Sequence, residues 1–259
     1  MVRIPERGEH DKITIVSMAV IASAAATLLH EGVGHGVVAL LRGGVPTELT
    51  SNHLSSLRAD GWVEAGGTLV NLAVGVVALA ASGKAGGHVN RRYFLWLLAA
   101  LNLLPGAGYF LFSGILGLGD WNAVISGLPN QALLRIAMTL FGVALYAGAV
   151  KVLVIAVWPY CATRAEYNTV GRLPYYAACL FSCVAGALDP MGWALLLQST
   201  LPAAFGGSSG LMWADSLRPR YAVVAEALVV SRSRGWWVAA VVLGGAYIAI
   251  LGPGIKINY

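Results

Sequence analysis

Six largely apolar runs dominate the chain, about Ile13–Leu41, Trp62–Ala81, Tyr93–Leu118, Leu133–Trp158, Tyr175–Leu201 and Trp236–Leu251. Each is near the roughly 20 residues a helix needs to cross the hydrocarbon of a bilayer. Only 11% of the 259 residues are charged, against roughly 25% in soluble domains, too few to coat a water-facing surface. The pattern predicts an all-α, polytopic integral membrane protein of about six transmembrane helices, with the lipid bilayer as its surroundings. It reads as a single membrane domain over residues 1–259, multi-pass in an inner or cell membrane.

The remaining composition narrows the function. The net charge of +5 is spread over short loops, as for contact with anionic headgroups. Basic residues are not grouped on one element, so nucleic acid is not expected as a partner. Cys161, Cys179 and Cys183 form no C-x-x-C pattern, which argues against a thiolate metal site and for small buried fillers. With six spans, the basic residues divide nine to seven between the two faces, too evenly to set an orientation. The segment Tyr221–Val230 is apolar enough to lie on the membrane surface.

Within the first run, Leu28–Gly36 reads LLHEGVGHG. A carboxylate in a membrane helix costs about 3 kcal/mol on insertion scales, which makes Glu31 a functional-site candidate. His30 and His35 flank it. Neutral imidazoles bind zinc, and an adjacent carboxylate can act as a base toward water at the metal. The spacing is H-E-x-x-x-H, one residue longer than the familiar H-E-x-x-H. On a regular helix an i,i+5 pair diverges by about 140°. A π-bulge returns the fifth residue to nearly the same face, and Gly32, Gly34 and Gly36 make that distortion inexpensive. The alternative is a pair of buried histidines hydrogen-bonded to backbone or to Glu31.

Two further stretches extend the pattern. Gly61–Ala81, GWVEAGGTLVNLAVGVVALAA, carries Asn71, and Leu101–Trp121, LNLLPGAGYFLFSGILGLGDW, carries Asn102, Pro105 and Asp120. In order and character, the three segments resemble the site-2 protease family of intramembrane zinc metalloproteases. The resemblance spans residues 28–121 as a metalloprotease-like core, leaving 133–259 as additional transmembrane helices. It implies Zn2+ as cofactor, with His30, His35 and Asp120 as ligands and Glu31 as the catalytic base. Asn71 and Asn102 would lie near substrate or support the site by hydrogen bonds. The implied activity is hydrolysis of peptide bonds in a membrane protein or peptide substrate through a zinc-activated water. Asp120 lies 18 residues beyond Asn102, so the chain between Pro105 and Asp120 would be broken or re-entrant near the metal site. Pro105 and the glycines up to Gly119 permit this.

Other residues compete for these roles. Asp189, next to Pro190, is expected to cap a half-helix. Glu64 and His53 read as wet, structural groups within reach of a site near the surface. Tyr109 and Ser113 are candidates to line a substrate path. A non-proteolytic membrane binding or regulatory protein on the same scaffold is the main alternative function. An iron-dependent membrane enzyme is a weaker one, since only five histidines are present and His10, His53 and His88 lie outside the spans. The sequence leaves the oligomeric state open.

Overall fold

The computed structural model describes residues 8–161, 163–217 and 228–257. Helix α1 (Lys12–Leu41) leads into a hairpin of β1 (Val45–Leu49) and β2 (Leu54–Leu57), followed by α2 (Gly61–Lys84) and α3 (Val89–Leu116). A short α4 (Asp120–Ile125) precedes α5 (Gln131–Tyr160), α6 (Leu173–Gly186), α7 (Arg234–Leu251) and β3 (Ile255–Lys256). Among the described residues, α1, α2, α3, α5 and α7 are long and apolar enough to cross a membrane.

Caps fix where the first helices begin. The Asp11 carboxylate accepts from Thr14 N at 2.8 Å, and Asp60 accepts from Trp62 N and Val63 N at 3.0 and 3.1 Å. Each satisfies amides that the first helical turn leaves without a partner. Within the core, side-chain polar groups reach backbone carbonyls: Trp96 Nε1 donates to Leu153 O at 3.0 Å and the Tyr93 hydroxyl to Val170 O at 2.7 Å.

The expected span Tyr175–Leu201 is not a single helix. α6 ends at Gly186, the chain turns through Ala187–Gly192, and short helical turns run back from Trp193 through Gly207 to Leu217. The break follows from Asp189-Pro190 and from Gly192 at φ 73°, a left-handed conformation suited to glycine. The Asp189 side chain accepts from Met191 N at 2.9 Å and closes the turn. The returning segment reaches the face where α1 begins, since Tyr167 donates to Leu211 O and Arg172 pairs with Asp215.

This doubling changes the side on which the rest of the chain lies. Ser233 N and Trp237 Nε1 both donate to Thr14 Oγ1 at 3.0 Å, so α7 runs parallel to α1. Arg232 and Arg234 therefore share the face of Lys12, not that of Arg42. Lys256, expected beside the N-terminal residues, lies opposite Glu48 in the β1–β3 register, at the opposite face. Residues 218–227, which hold Arg218, Arg220 and most of the Tyr221–Val230 segment, lie outside the described residues.

The mostly helical fold also carries a small sheet. The loop after α1 is an antiparallel hairpin with Val45 opposite Leu57 and Leu49 opposite Leu54. β3 adds to the far side of β1, giving the order β2-β1-β3. Among the described residues β2 pairs only with β1, and its Leu54, Ser55 and Ser56 line a large cavity described below.

Candidate metal centre

The site begins with a defect in α1. Leu29–Val37 is a π-helix inside an otherwise α-helical span. The wider turn brings His30 and His35 to one face, with Nε2 atoms 3.1 Å apart and ring centroids 4.8 Å apart. All three polar side chains are buried: His30 is 4%, Glu31 5% and His35 7% exposed.

Helix α2 crosses against this defect because neither helix carries a side chain at the contact. A Cβ on Gly34 would meet the Gly67 backbone, and one on Gly66 would meet the Gly34 carbonyl. Gly67 does more than permit the crossing. A methyl there would sit 2.5 Å from Nε2 of both His30 and His35, where the two ring nitrogens converge. Gly67→Ala is therefore expected to weaken metal affinity by roughly 100-fold or more while leaving helicity intact. Chelator competition alongside circular dichroism checks this.

The third group arrives by a reversal of the chain. α3 continues through Pro105 and ends at Gly117, φ 67°. Gly119, φ 77°, turns the backbone again and Asp120 opens α4. The break thus lies at Gly117–Gly119, within the Pro105–Asp120 stretch expected to hold it, and Pro105 itself is carried inside the helix. Arg135 holds the turn, donating from Nε to Gly114 O at 3.0 Å and from Nη2 to Ile115 O at 2.7 Å, which satisfies the open carbonyls at the end of α3. Asp120 Oδ2 then stands 3.3 Å from His30 Nε2 and 3.6 Å from His35 Nε2. Burial opposes ionisation of Asp120, but the adjacent imidazoles outweigh it and hold the carboxyl below the usual carboxylate range. His30, His35 and Asp120 thus form a group able to hold a metal ion.

The outer nitrogens of both rings are occupied. His35 Nδ1 donates to Val63 O at 2.7 Å, which leaves Nε2 a lone pair in the neutral ring. His30 Nδ1 meets the Asn71 amide at 3.2 Å. With Nδ2 of Asn71 turned to the ring, two buried acceptors lack a donor, Asn71 Oδ1 and Asp120 Oδ2. With the amide turned over, Oδ1 accepts from His30 Nδ1–H and both Nε2 lone pairs point toward Asp120. In that arrangement three acceptors face one another within hydrogen-bond range, a set that could hold a metal ion between them. Asn71→Ala is expected to cost roughly 10- to 100-fold in metal affinity, as for other groups that orient a ligating histidine. The same chelator titration measures it.

Glu31 stands beside the triangle, Oε1 4.0 Å from His30 Nε2. It lines two cavities. One, of about 940 Å³, is bounded by Glu31, His35, Asp120, the β2 edge and the apolar side chains of Leu111, Phe112 and Ile115. The other, of about 100 Å³, lies behind Glu31 among hydroxyl-bearing residues that include Ser23, Thr27, Ser182 and Thr200. Tyr109 borders both and stacks on His30 with centroids 5.0 Å apart.

The other candidates lie elsewhere. Asn102 is fully buried and donates to Leu98 O at 2.7 Å within its own helix, and it borders neither cavity. Ser113 is buried beneath the Gly119 turn. His53 borders the large cavity and sits between Asp189 at 3.4 Å and Glu48 at 3.7 Å. Glu64 lines the large cavity next to the metal group. The roles of Gly67 and Tyr109 against the imidazoles were not legible in the sequence, because they depend on where α2 and α3 cross α1. Comparison of the chain with protein families, with characterised proteins and with solved structures finds no match.

Proposed function

We propose that this chain is an intramembrane zinc-dependent endopeptidase, as the resemblance to site-2 proteases implies. The observation that carries the reading is the triangle of His30 Nε2, His35 Nε2 and Asp120 Oδ2 beside the Glu31 carboxylate at the wall of a large cavity. In a tetrahedral zinc site with bonds near 2.0–2.1 Å, neighbouring ligand atoms stand about 3.4 Å apart. The observed edges of 3.1, 3.3 and 3.6 Å bracket that value. Two histidines and one carboxylate also suit octahedral iron, for which edges near 3.0 Å are expected at bonds of about 2.1 Å. The resemblance to zinc peptidases is what favours zinc.

Bound zinc supplies Lewis acidity toward water and toward a substrate carbonyl. The protein does the rest. Val63 O and Asn71 fix the two rings, and Tyr109 stacks on one of them. Glu31 takes the proton of the attacking water and returns it to the leaving amine. The carbonyls of a membrane helix are closed in its own hydrogen bonds, so a substrate must open locally. β2 is an edge strand, and Leu54, Ser55 and Ser56 line the cavity. An opened segment can pair with that edge.

Among the described residues, Lys12, Lys84, Arg91, Arg92, Arg164, Arg172, Arg232 and Arg234 lie on the face where α1 begins, and Arg42, Arg58, Arg135 and Lys256 on the other. By the positive-inside rule the first face is cytoplasmic. The metal group, past the middle of α1, then lies nearer the outer side of an inner or cell membrane.

The test is reconstitution of zinc-loaded protein in liposomes with a library of single-span peptides, read by mass spectrometry. The expected result is new peptide termini that are absent with Glu31→Gln. Zinc bound at one per chain with no cleavage anywhere in the library would favour the binding or regulatory reading.

A further inference from the structure

Tyr109 has a hydroxyl that the fold does not use. Gly106 of α3 packs on Leu72 of α2, and Gly108 approaches the returning segment so closely that a Cβ would stand 3.3 Å from Gly207 Cα. These contacts set the rotation of α3, and the Tyr109 ring lies nearly flat on the His30 ring, 17° from parallel. Five buried tyrosines, Tyr93, Tyr146, Tyr160, Tyr167 and Tyr175, each donate the hydroxyl to a backbone carbonyl, as buried phenols do. Among the described residues, no group bonds to the hydroxyl of Tyr109. Tyr109 borders both cavities, and the charges that reach its hydroxyl are those of Asp120 and Glu31.

The bland explanation is that Tyr109 is a packing plate for His30. The ring accounts for that contact, and phenylalanine would serve as well. The hydroxyl is left to bond with whatever occupies the cavity, water at rest and substrate in reaction. When water adds to a substrate carbonyl, a C–O bond forms, the carbonyl electron pair moves onto oxygen and Glu31 holds the proton. A donor aimed at that oxygen stabilises the charge as it develops. No lysine or arginine lines the large cavity, and a neutral phenol can donate beside a metal cation without repelling it.

We propose that Tyr109 is a catalytic residue, its hydroxyl donating a hydrogen bond to the substrate carbonyl oxygen as that oxygen becomes negative, an inference that rests on the zinc peptidase reading. The phenol keeps its proton throughout. In the second half of the reaction the oxygen pair re-forms the carbonyl, the C–N pair leaves with nitrogen, and Glu31 protonates the amine.

Two ligands built on one peptide sequence test this on the zinc-loaded full chain. A phosphinic peptide carries a tetrahedral centre with a charged oxygen in place of the carbonyl oxygen. A mercaptoacyl peptide reaches the metal through sulfur and has no oxygen at that position. Titration calorimetry should show Tyr109→Phe, with its zinc content unchanged, binding the phosphinic peptide roughly 10- to 100-fold more weakly and the mercaptoacyl peptide within about twofold of wild type. On a peptide that wild type cleaves, kcat should fall about 100-fold with KM within about twofold. The structure of the wild-type complex with the phosphinic peptide needs no variant, and should place a phosphinyl oxygen within about 3 Å of the Tyr109 hydroxyl. Equal losses for the two ligands, no loss for either, or a phosphinyl oxygen bonded only to other donors would overturn the assignment of Tyr109 alone. If neither ligand binds zinc-loaded wild type, the peptidase reading falls and this inference with it.

Discussion

Replacing His30 or His35 by alanine is expected to take bound zinc from one ion per chain to less than about a tenth of that. Each is one of three groups that could hold a metal ion, at edges of 3.1–3.6 Å. Two remaining donors cannot close the coordination of a buried ion. The helices should survive, because α1 is held by its Asp11 cap and by packing against its neighbours, not by the rings. Elemental analysis of purified wild type beside the two variants makes the measurement. Asp120→Ala should fall between, since the Gly117–Gly119 turn that delivers the carboxylate stays anchored by Arg135. Full zinc content in either histidine variant would remove the assigned ligand set.

Glu31→Gln separates binding from chemistry. Glutamine keeps the shape of a side chain that is only 7% exposed, and Oε1 lies 4.0 Å from His30 Nε2, beside the ligand triangle and not in it. Zinc is therefore expected to stay. Glutamine cannot take a proton from water, so turnover should fall by about 10²- to 10⁴-fold, the usual contribution of a positioned general base. Liposome assays on the peptides cleaved by wild type give the ratio. A variant that retains zinc and cleaves at the wild-type rate would assign the base elsewhere, with Glu64 the nearest other carboxylate on the cavity wall.

The two outcomes depend on one local feature of α1. A nine-residue π-helix widens the turn so that an i,i+5 pair behaves like a chelate. Much of this was readable from the chain. The span lengths of α1, α2, α3, α5 and α7 follow from hydropathy alone. The extra residue between the histidines, set among Gly32, Gly34 and Gly36, signalled the distortion before any coordinates. The glycines before Asp120 signalled a break between Pro105 and Asp120; within that stretch Pro105 is carried in a continuous helix and two left-handed glycines do the turning.

What sequence did not reveal is what only packing creates. The Tyr175–Leu201 run has the length and apolarity of a span, and its Asp189-Pro190 step reads equally well as a cap within a membrane helix. The chain there doubles back, and every later assignment of face changes with it. β3 is two residues long and has no strand signal apart from its pairing with β1. Gly67 looks like any small residue in a membrane helix until its missing side chain is seen against two imidazoles.

The most direct test of the central assignment is the X-ray absorption spectrum of the purified protein at the metal edge. Zinc is predicted, with four light-atom neighbours near 2.0–2.1 Å and outer-shell scattering from two imidazoles, falling to one imidazole in whatever residual metal His35→Ala retains. A folded protein with no zinc edge, or one whose metal is iron in six-fold coordination, would contradict the account.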